Sequence, residues 1–137
     1  MIVDNARVAL ADGTTKQAID LFPSADLLSF RDQKPRKTRL MDRKIENHTD
    51  AICLVLANGE RLIGSCDQRV CVCREKQTSF MEMSNVEIGM NLRGQAAGML
   101  TNVRVIGVLL FPKHAMRMVQ FQFETRECFV AEGILCR

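Results

Sequence analysis

Ala51-Ile52-Cys53-Leu54-Val55-Leu56-Ala57-Asn58-Gly59-Glu60-Arg61-Leu62-Ile63-Gly64-Ser65 decides the fold class of this chain. An apolar, β-rich run ends at Asn58-Gly59 and a second one resumes at Arg61. Asn-Gly between two such runs is a hairpin signature, because both central residues of the favoured two-residue turn take positive φ. The same grammar continues upstream. Val8-Ala9-Leu10 runs into Ala11-Asp12-Gly13, a short strand and a turn. Ala18, Ile19 and Leu21 predict one turn of helix or an irregular buried segment, and Leu27-Leu28-Ser29-Phe30 a second strand. Downstream, Val70 to Cys73 reads as a short strand. Phe80, Met81, Met83, Val86 and Ile88 suggest a short helix and a connection, with the methionines filling core. Val103 to Phe111 is a long apolar strand. Met116 to Phe123 alternates, with Val119, Phe121 and Phe123 on one face and Met116, Met118 and Gln120 on the other. Cys128-Phe129-Val130, Ala131-Glu132-Gly133 and Ile134-Leu135-Cys136 form a closing hairpin. No internal repeat, low-complexity tract or linker is legible. Many short strands separated by turns predict a mostly-β sandwich or barrel-like fold in a single domain, residues 1–137.

The 137 residues are enough for one domain with a real core. Hydrophobic residues make up 47% and charged residues 26%, an ordinary globular balance that argues against disorder. The longest apolar run, Val105 to Phe111, is far too short to cross a bilayer. Met1-Ile2-Val3-Asp4-Asn5-Ala6-Arg7 lacks the basic start and apolar stretch of a secretion signal. The expected location is therefore cytoplasmic, or inside a virion. In that setting Cys53, Cys66, Cys71, Cys73, Cys128 and Cys136 are expected as reduced thiols. Cys71 and Cys73 face the same side of a strand, but no four-ligand zinc spacing accompanies them. No metal and no cofactor is expected.

The net charge of +3 is mild, but it is unevenly spread. Arg31, Lys34, Arg36, Lys37, Arg39, Arg43 and Lys44 crowd one stretch, opposed only by Asp32 and Asp42. With Pro35 at its centre, the stretch reads as a loop. It is either simply solvated or a contact for an acidic protein surface or nucleic acid. There is no Trp or Tyr, and only Phe30 adjoins the basic residues, so stacking partners for bases are scarce. Protein is the better fit as partner.

Three stretches resemble the Hint family of inteins and hedgehog processing domains. The first is Arg7-Val8-Ala9-Leu10-Ala11-Asp12-Gly13-Thr14, followed by Ala18-Ile19-Asp20-Leu21 and Asp26-Leu27-Leu28-Ser29-Phe30. Inteins open with a strand, an Asp-Gly turn, a short apolar segment and a second strand of this kind. The second stretch, Asn58 to Val70, is similar to the motif in which a strand leads into Thr-x-x-His. The third, Cys128 to Arg137, is similar to the closing motif, a turn with Gly and then a strand ending in His-Asn. The anchors run in family order from Met1 to Arg137. The resemblance implies a compact, pseudo-symmetric β fold whose first and last strands lie together.

The family's chemistry is self-processing, and the resemblance says what it needs. A Cys or Ser at the first position attacks the preceding carbonyl and must lose a proton. A Thr and a His polarise that peptide bond, and the His must titrate near neutrality. A terminal Asn then cyclises, aided by the preceding His. In this chain the nucleophile position is Met1, a thioether with no proton to lose. Ser65 stands for the Thr, and Gln68, which cannot shuttle protons at pH 7, for the His. Arg137 stands for the penultimate His and stays protonated. The cyclising Asn falls beyond Arg137. His48 and His114 lie outside the three motifs and are expected to be surface or structural residues. No other nucleophile, base and oxyanion set assembles in the pattern.

The expectation is therefore a non-enzymatic structural or protein-binding component on an inactive Hint fold. Its natural setting is a subunit of a larger, oligomeric assembly, such as a virus or phage particle. Two alternatives stand beside it. One is a self-splicing domain whose end residues were removed, against which Gln68 argues. The other is a nucleic-acid-binding module using the basic stretch. No membrane partner is expected.

Overall fold

The computed structural model describes residues 1–137, and nearly all of its regular structure is β. Fourteen strands follow one another: β1 (Ile2–Val3), β2 (Arg7–Ala9), β3 (Thr15–Gln17), β4 (Asp26–Arg31), β5 (Lys34–His48), β6 (Ala51–Leu56) and β7 (Arg61–Gly64). The second set is β8 (Arg69–Arg74), β9 (Gln77–Glu82), β10 (Asn91–Ala96), β11 (Met99–Phe111), β12 (Met116–Phe123), β13 (Phe129–Ala131) and β14 (Ile134–Cys136). Two single 3₁₀ turns, Ala18–Asp20 and Met83–Asn85, are the only helical pieces. The mostly-β, pseudo-symmetric architecture expected from the sequence is what the chain adopts.

The two halves repeat each other in backbone although their sequences do not. The 3₁₀ turns start at residues 18 and 83, the following strands at 26 and 91, and the long strands at 34 and 99, a constant step of 65 residues. Hydrogen bonds keep the same step. Ser24 N–H donates to Leu40 O and Gly89 N–H to Val105 O, each at 2.8 Å. The buried positions match as well: Leu27 with Leu92, Leu40 with Val105, Leu54 with Val119. Ile2 pairs with Gly64 where the halves meet.

The halves also embrace. The far end of β5 leaves its own hairpin and pairs with β12, from Leu40 opposite Phe123 to His48 opposite Met116. The far end of β11 crosses the other way and pairs with β6, from Val105 opposite Leu56 to Phe111 opposite Ala51. One core cluster lies beneath both, with Ile2, Leu21, Leu54, Leu62, Leu92 and Ile134 at 0–1% exposure. A smaller apolar cluster gathers Ala9, Phe30, Cys71, Cys128, Val130 and Leu135 on the other face of β8 and β14.

Three local expectations change. The basic stretch is not a loop: β4 and β5 form a hairpin, with Phe30 opposite Pro35 and Arg31 opposite Lys34. Charged residues occupy both faces of an exposed ribbon, which hides the period of two expected of a half-buried strand. Phe80 and Met81 belong to β9, and only Met83–Asn85 is helical, so no proper helix forms there. At Asn58-Gly59 only Gly59 has positive φ, +89°. Leu56 O accepts the Gly59 N–H and Leu56 N–H donates to Glu60 O, both at 2.9 Å. This is the longer turn with Gly in the left-handed position rather than the two-residue one. The tight turns with two positive φ values occur instead at Asp32-Gln33, Glu75-Lys76, Ala97-Gly98 and Glu132-Gly133.

Candidate functional site

The closing hairpin brings the two ends of the chain to one place. Val8 of β2 is opposite Ala131 of β13, and Ala131 is opposite Ile134 of β14. Cys136 of β14 is in turn opposite Val70 of β8. Gly94 makes this closure possible: a Cβ there would lie 2.6 Å from the Gly133 carbonyl oxygen. An exposed ion group clips the same edge, with the Arg7 guanidinium bonded to Glu132 (2.9 Å) and to Glu60.

The four residues picked out by motif, Met1, Ser65, Gln68 and Arg137, converge here. Gln68 is 95% buried and its amide is fully used. Its Oε1 accepts the Met1 N–H at 2.9 Å. Its Nε2 donates to Arg69 O at 2.9 Å and to Arg137 O at 3.1 Å. A single carboxamide thus joins the first residue to the last. Met1 O accepts the Ser65 backbone N–H at 3.0 Å, and Met1 N also lies 3.1 Å from Ser65 Oγ. Ser65 Oγ–H donates to Asp67 Oδ1 at 2.7 Å, and this bond holds the Asp67 carboxyl below its ordinary value. With Met1 first in the chain, burial holds its α-amino group below its ordinary value, partly opposed by Asp67 and Cys136.

Cys136 is the buried thiol beside Arg137 at the junction. It is completely buried, and desolvation pushes its pKa up to about 12. At neutral pH it stays a neutral thiol and a poor nucleophile. Ser65 is buried with its hydroxyl proton committed to a carboxylate. His114 lies in the turn after β11. His48 is nearer than its sequence position suggests. The end of β5 returns close enough for it to add slightly to the stabilisation of the Asp67 carboxylate. Its Nε2 is 3.1 Å from Glu46 Oε2. No motif flagged it, because only the long crossover of β5 brings it round.

The basic residues sit elsewhere, along the β4–β5 ribbon. Arg31 pairs with Glu127, Arg39 with Asp26 and Lys44 with Glu46. Arg43 bonds Ile19 O and stacks over Phe22, 4.1 Å from the ring centroid. Lys34, Arg36 and Lys37 are exposed and take part in no ion pair. The ribbon therefore offers a narrower cationic surface than its sequence implies, centred next to the Asp32-Gln33 turn.

This architecture has clear counterparts among solved structures. The TvoVMA intein matches with a TM-score of 0.87 at 16% identity, covering 98% of this chain and 95% of the other. A DnaB intein from Synechocystis sp. PCC 6803 matches at 0.84 and 11% identity, covering 99% and 96%. A bacterial intein-like domain from Clostridium thermocellum matches at 0.82 and 12%, covering 98% and 95%. No protein-family model and no curated protein matches the chain. The fold is accordingly the intein, or Hint, fold over its whole length. At these identities the likeness speaks for the fold alone.

Proposed function

We propose that this chain is a protein-binding or structural component that uses the Hint fold without its self-processing reaction. The observation carrying this reading is the Gln68 carboxamide, which holds Met1 and Arg137 together where the family pattern calls for a titrating group. A carboxamide positions a peptide but cannot exchange a proton with it at neutral pH. The neighbouring groups support the reading: a thioether at Met1, a buried neutral thiol at Cys136 and a hydroxyl held by Asp67. The partner surface is the exposed end of the β4–β5 ribbon. Lys34, Arg36 and Lys37 there suit an acidic protein surface, as in the packing of one subunit against another in a particle.

A fusion experiment tests the central claim. Reporter domains are joined to both ends and the fusion is incubated at neutral pH, with and without a thiol. The expected result is an intact fusion with no thioester and no ligated product. Release or joining of the reporters would refute it.

A further inference from the structure

Next to the junction, with which it shares Arg137, the second half and the β4–β5 turn fold around a cavity of about 670 Å³. That lies within the ~300–1,000 Å³ typical of small-molecule sites. Strand alternation builds it. Val70, Val72 and Leu92 point into the main core, so Cys71, Cys73 and Arg93 between them face the cavity. Phe30, Leu100 and Leu135 supply apolar wall, with the Cys71 and Cys128 thiols beside them. Desolvation raises the pKa of Cys71, so it remains a neutral apolar lining group.

Three cations converge on this pocket of mixed lining, Lys76, Arg93 and Arg137, against one acid, Asp32. Two of them are held in place. The Arg137 guanidinium stacks 4.1 Å over the Phe80 ring. Arg93 donates to Asn102 Oδ1 at 3.0 Å from the directly opposite position on β11. Neither is paired with a carboxylate, unlike Arg7, Arg31, Arg39 and Arg117 on the outer surface. The molecule contains its own control. Sixty-five residues earlier, the place of Arg93 is taken by Leu28, so the repeated backbone does not require a cation there.

We infer that this cavity is a binding site for a small organic carboxylate with a flat apolar body. The carboxylate would lie between Arg93, Arg137 and Lys76, and the body against Phe30, Leu100 and Leu135. Guanidinium groups favour planar oxyanions, and the apolar wall rewards a ring that an inorganic anion lacks. The inference stands on the cavity alone and does not depend on whether the junction is inert.

Calorimetric titration with three probes tests it: 2-naphthoate, 2-naphthylmethanol and acetate. Naphthoate should bind saturably, and the alcohol and acetate at least about tenfold more weakly. Arg93→Gln and the exposed turn variant Lys76→Gln should each weaken naphthoate by about three- to tenfold, with melting temperatures checking that both variants are folded. Leu100→Trp should block binding by filling the cavity. Bound naphthoate should also slow maleimide labelling of the half-buried Cys73 and leave the exposed Cys66 unchanged. Equal binding of naphthoate and the alcohol would overturn the inference. So would the lack of saturation up to about 10 mM, or saturable binding that survives Leu100→Trp or leaves Cys73 labelling unaltered.

Discussion

Replacing Gln68 by Ala should loosen the joint between the two ends of the chain, and the size of the effect can be worked out. Three side-chain hydrogen bonds disappear: Met1 N–H to Oε1, and Nε2–H to Arg69 O and Arg137 O. Each contributes ~0.5–1.5 kcal/mol net. Arg69 O keeps a second partner, the Arg137 N–H at 3.0 Å, so its loss is the mildest. Met1 N keeps Ser65 Oγ. The buried amide volume is also lost, so the total should be about 2–3 kcal/mol. At ~2.1 cal/mol/K per residue, unfolding 137 residues carries ~0.29 kcal/mol/K, so the melting temperature should fall by about 7–10 °C. Gln68→Glu makes the argument sharper. A carboxylate still accepts from Met1 but faces two carbonyl oxygens to which it cannot donate. Its deficit should shrink as the pH falls and the acid regains a proton to donate. Calorimetric melts of parent, Gln68→Ala and Gln68→Glu from pH 4 to pH 8 read both effects. A Gln68→Ala melt within about 2 °C of the parent would refute the account of the joint.

Other perturbations give separable results. Gly94→Ala sets a methyl 2.6 Å from the Gly133 carbonyl, a backbone atom that cannot swing aside. It should cost about 2–4 kcal/mol and expose Cys136 to thiol reagents, measured by denaturant melts and labelling rates. Cys136 has its folded pKa raised from 9.0 to about 12. Its contribution is therefore complete below pH 9 and declines as the pH rises toward 12, and Cys136→Ala should flatten that part of the alkaline stability profile. Replacing Arg36, Lys37 and Arg39 together with Ala should weaken assembly with the native partner more at low salt than at high salt, in sedimentation runs at several ionic strengths. Unchanged assembly at every ionic strength would mean that the ribbon is only solvated.

The order of elements was legible because short apolar runs and turn residues punctuate the chain, from Val8 through Leu54 to Ile134. Three features were not legible, each for a physical reason. The Asp32-Gln33 and Glu75-Lys76 turns contain no glycine, and strand twist imposes their positive φ values against local preference. β5 reads as a charged loop, because its stability comes from β12 rather than from its own apolar face. The doubling of the chain is invisible in residue identity, since it keeps only burial and backbone shape. At the junction, motif order was enough to bring Met1, Ser65, Gln68 and Arg137 together. It missed His48, whose nearness to Asp67 depends on a strand that crosses between the halves. The narrowing of the basic surface to Lys34, Arg36 and Lys37 was hidden as well, because Glu127 reaches Arg31 from far along the chain and Asp26 meets Arg39 only through the β4–β5 pairing.

The exchange of arms between the halves bears on how the molecule is made. β5 completes its pairing only when β12 exists, from 68 residues further on at Met116–His48 to 83 at Phe123–Leu40. The reciprocal pairing of β11 with β6 likewise spans both copies. Neither copy can assemble first and serve as a template for the other. Contacts this distant in sequence must all close before much stabilisation is gained, which places folding toward the slow, millisecond-to-second end for small domains. During synthesis the first copy emerges with β5 lacking β12 and β6 lacking β11. The charges of β5, the longest of the strands left waiting, guard that unfinished edge against pairing with its neighbours on other chains.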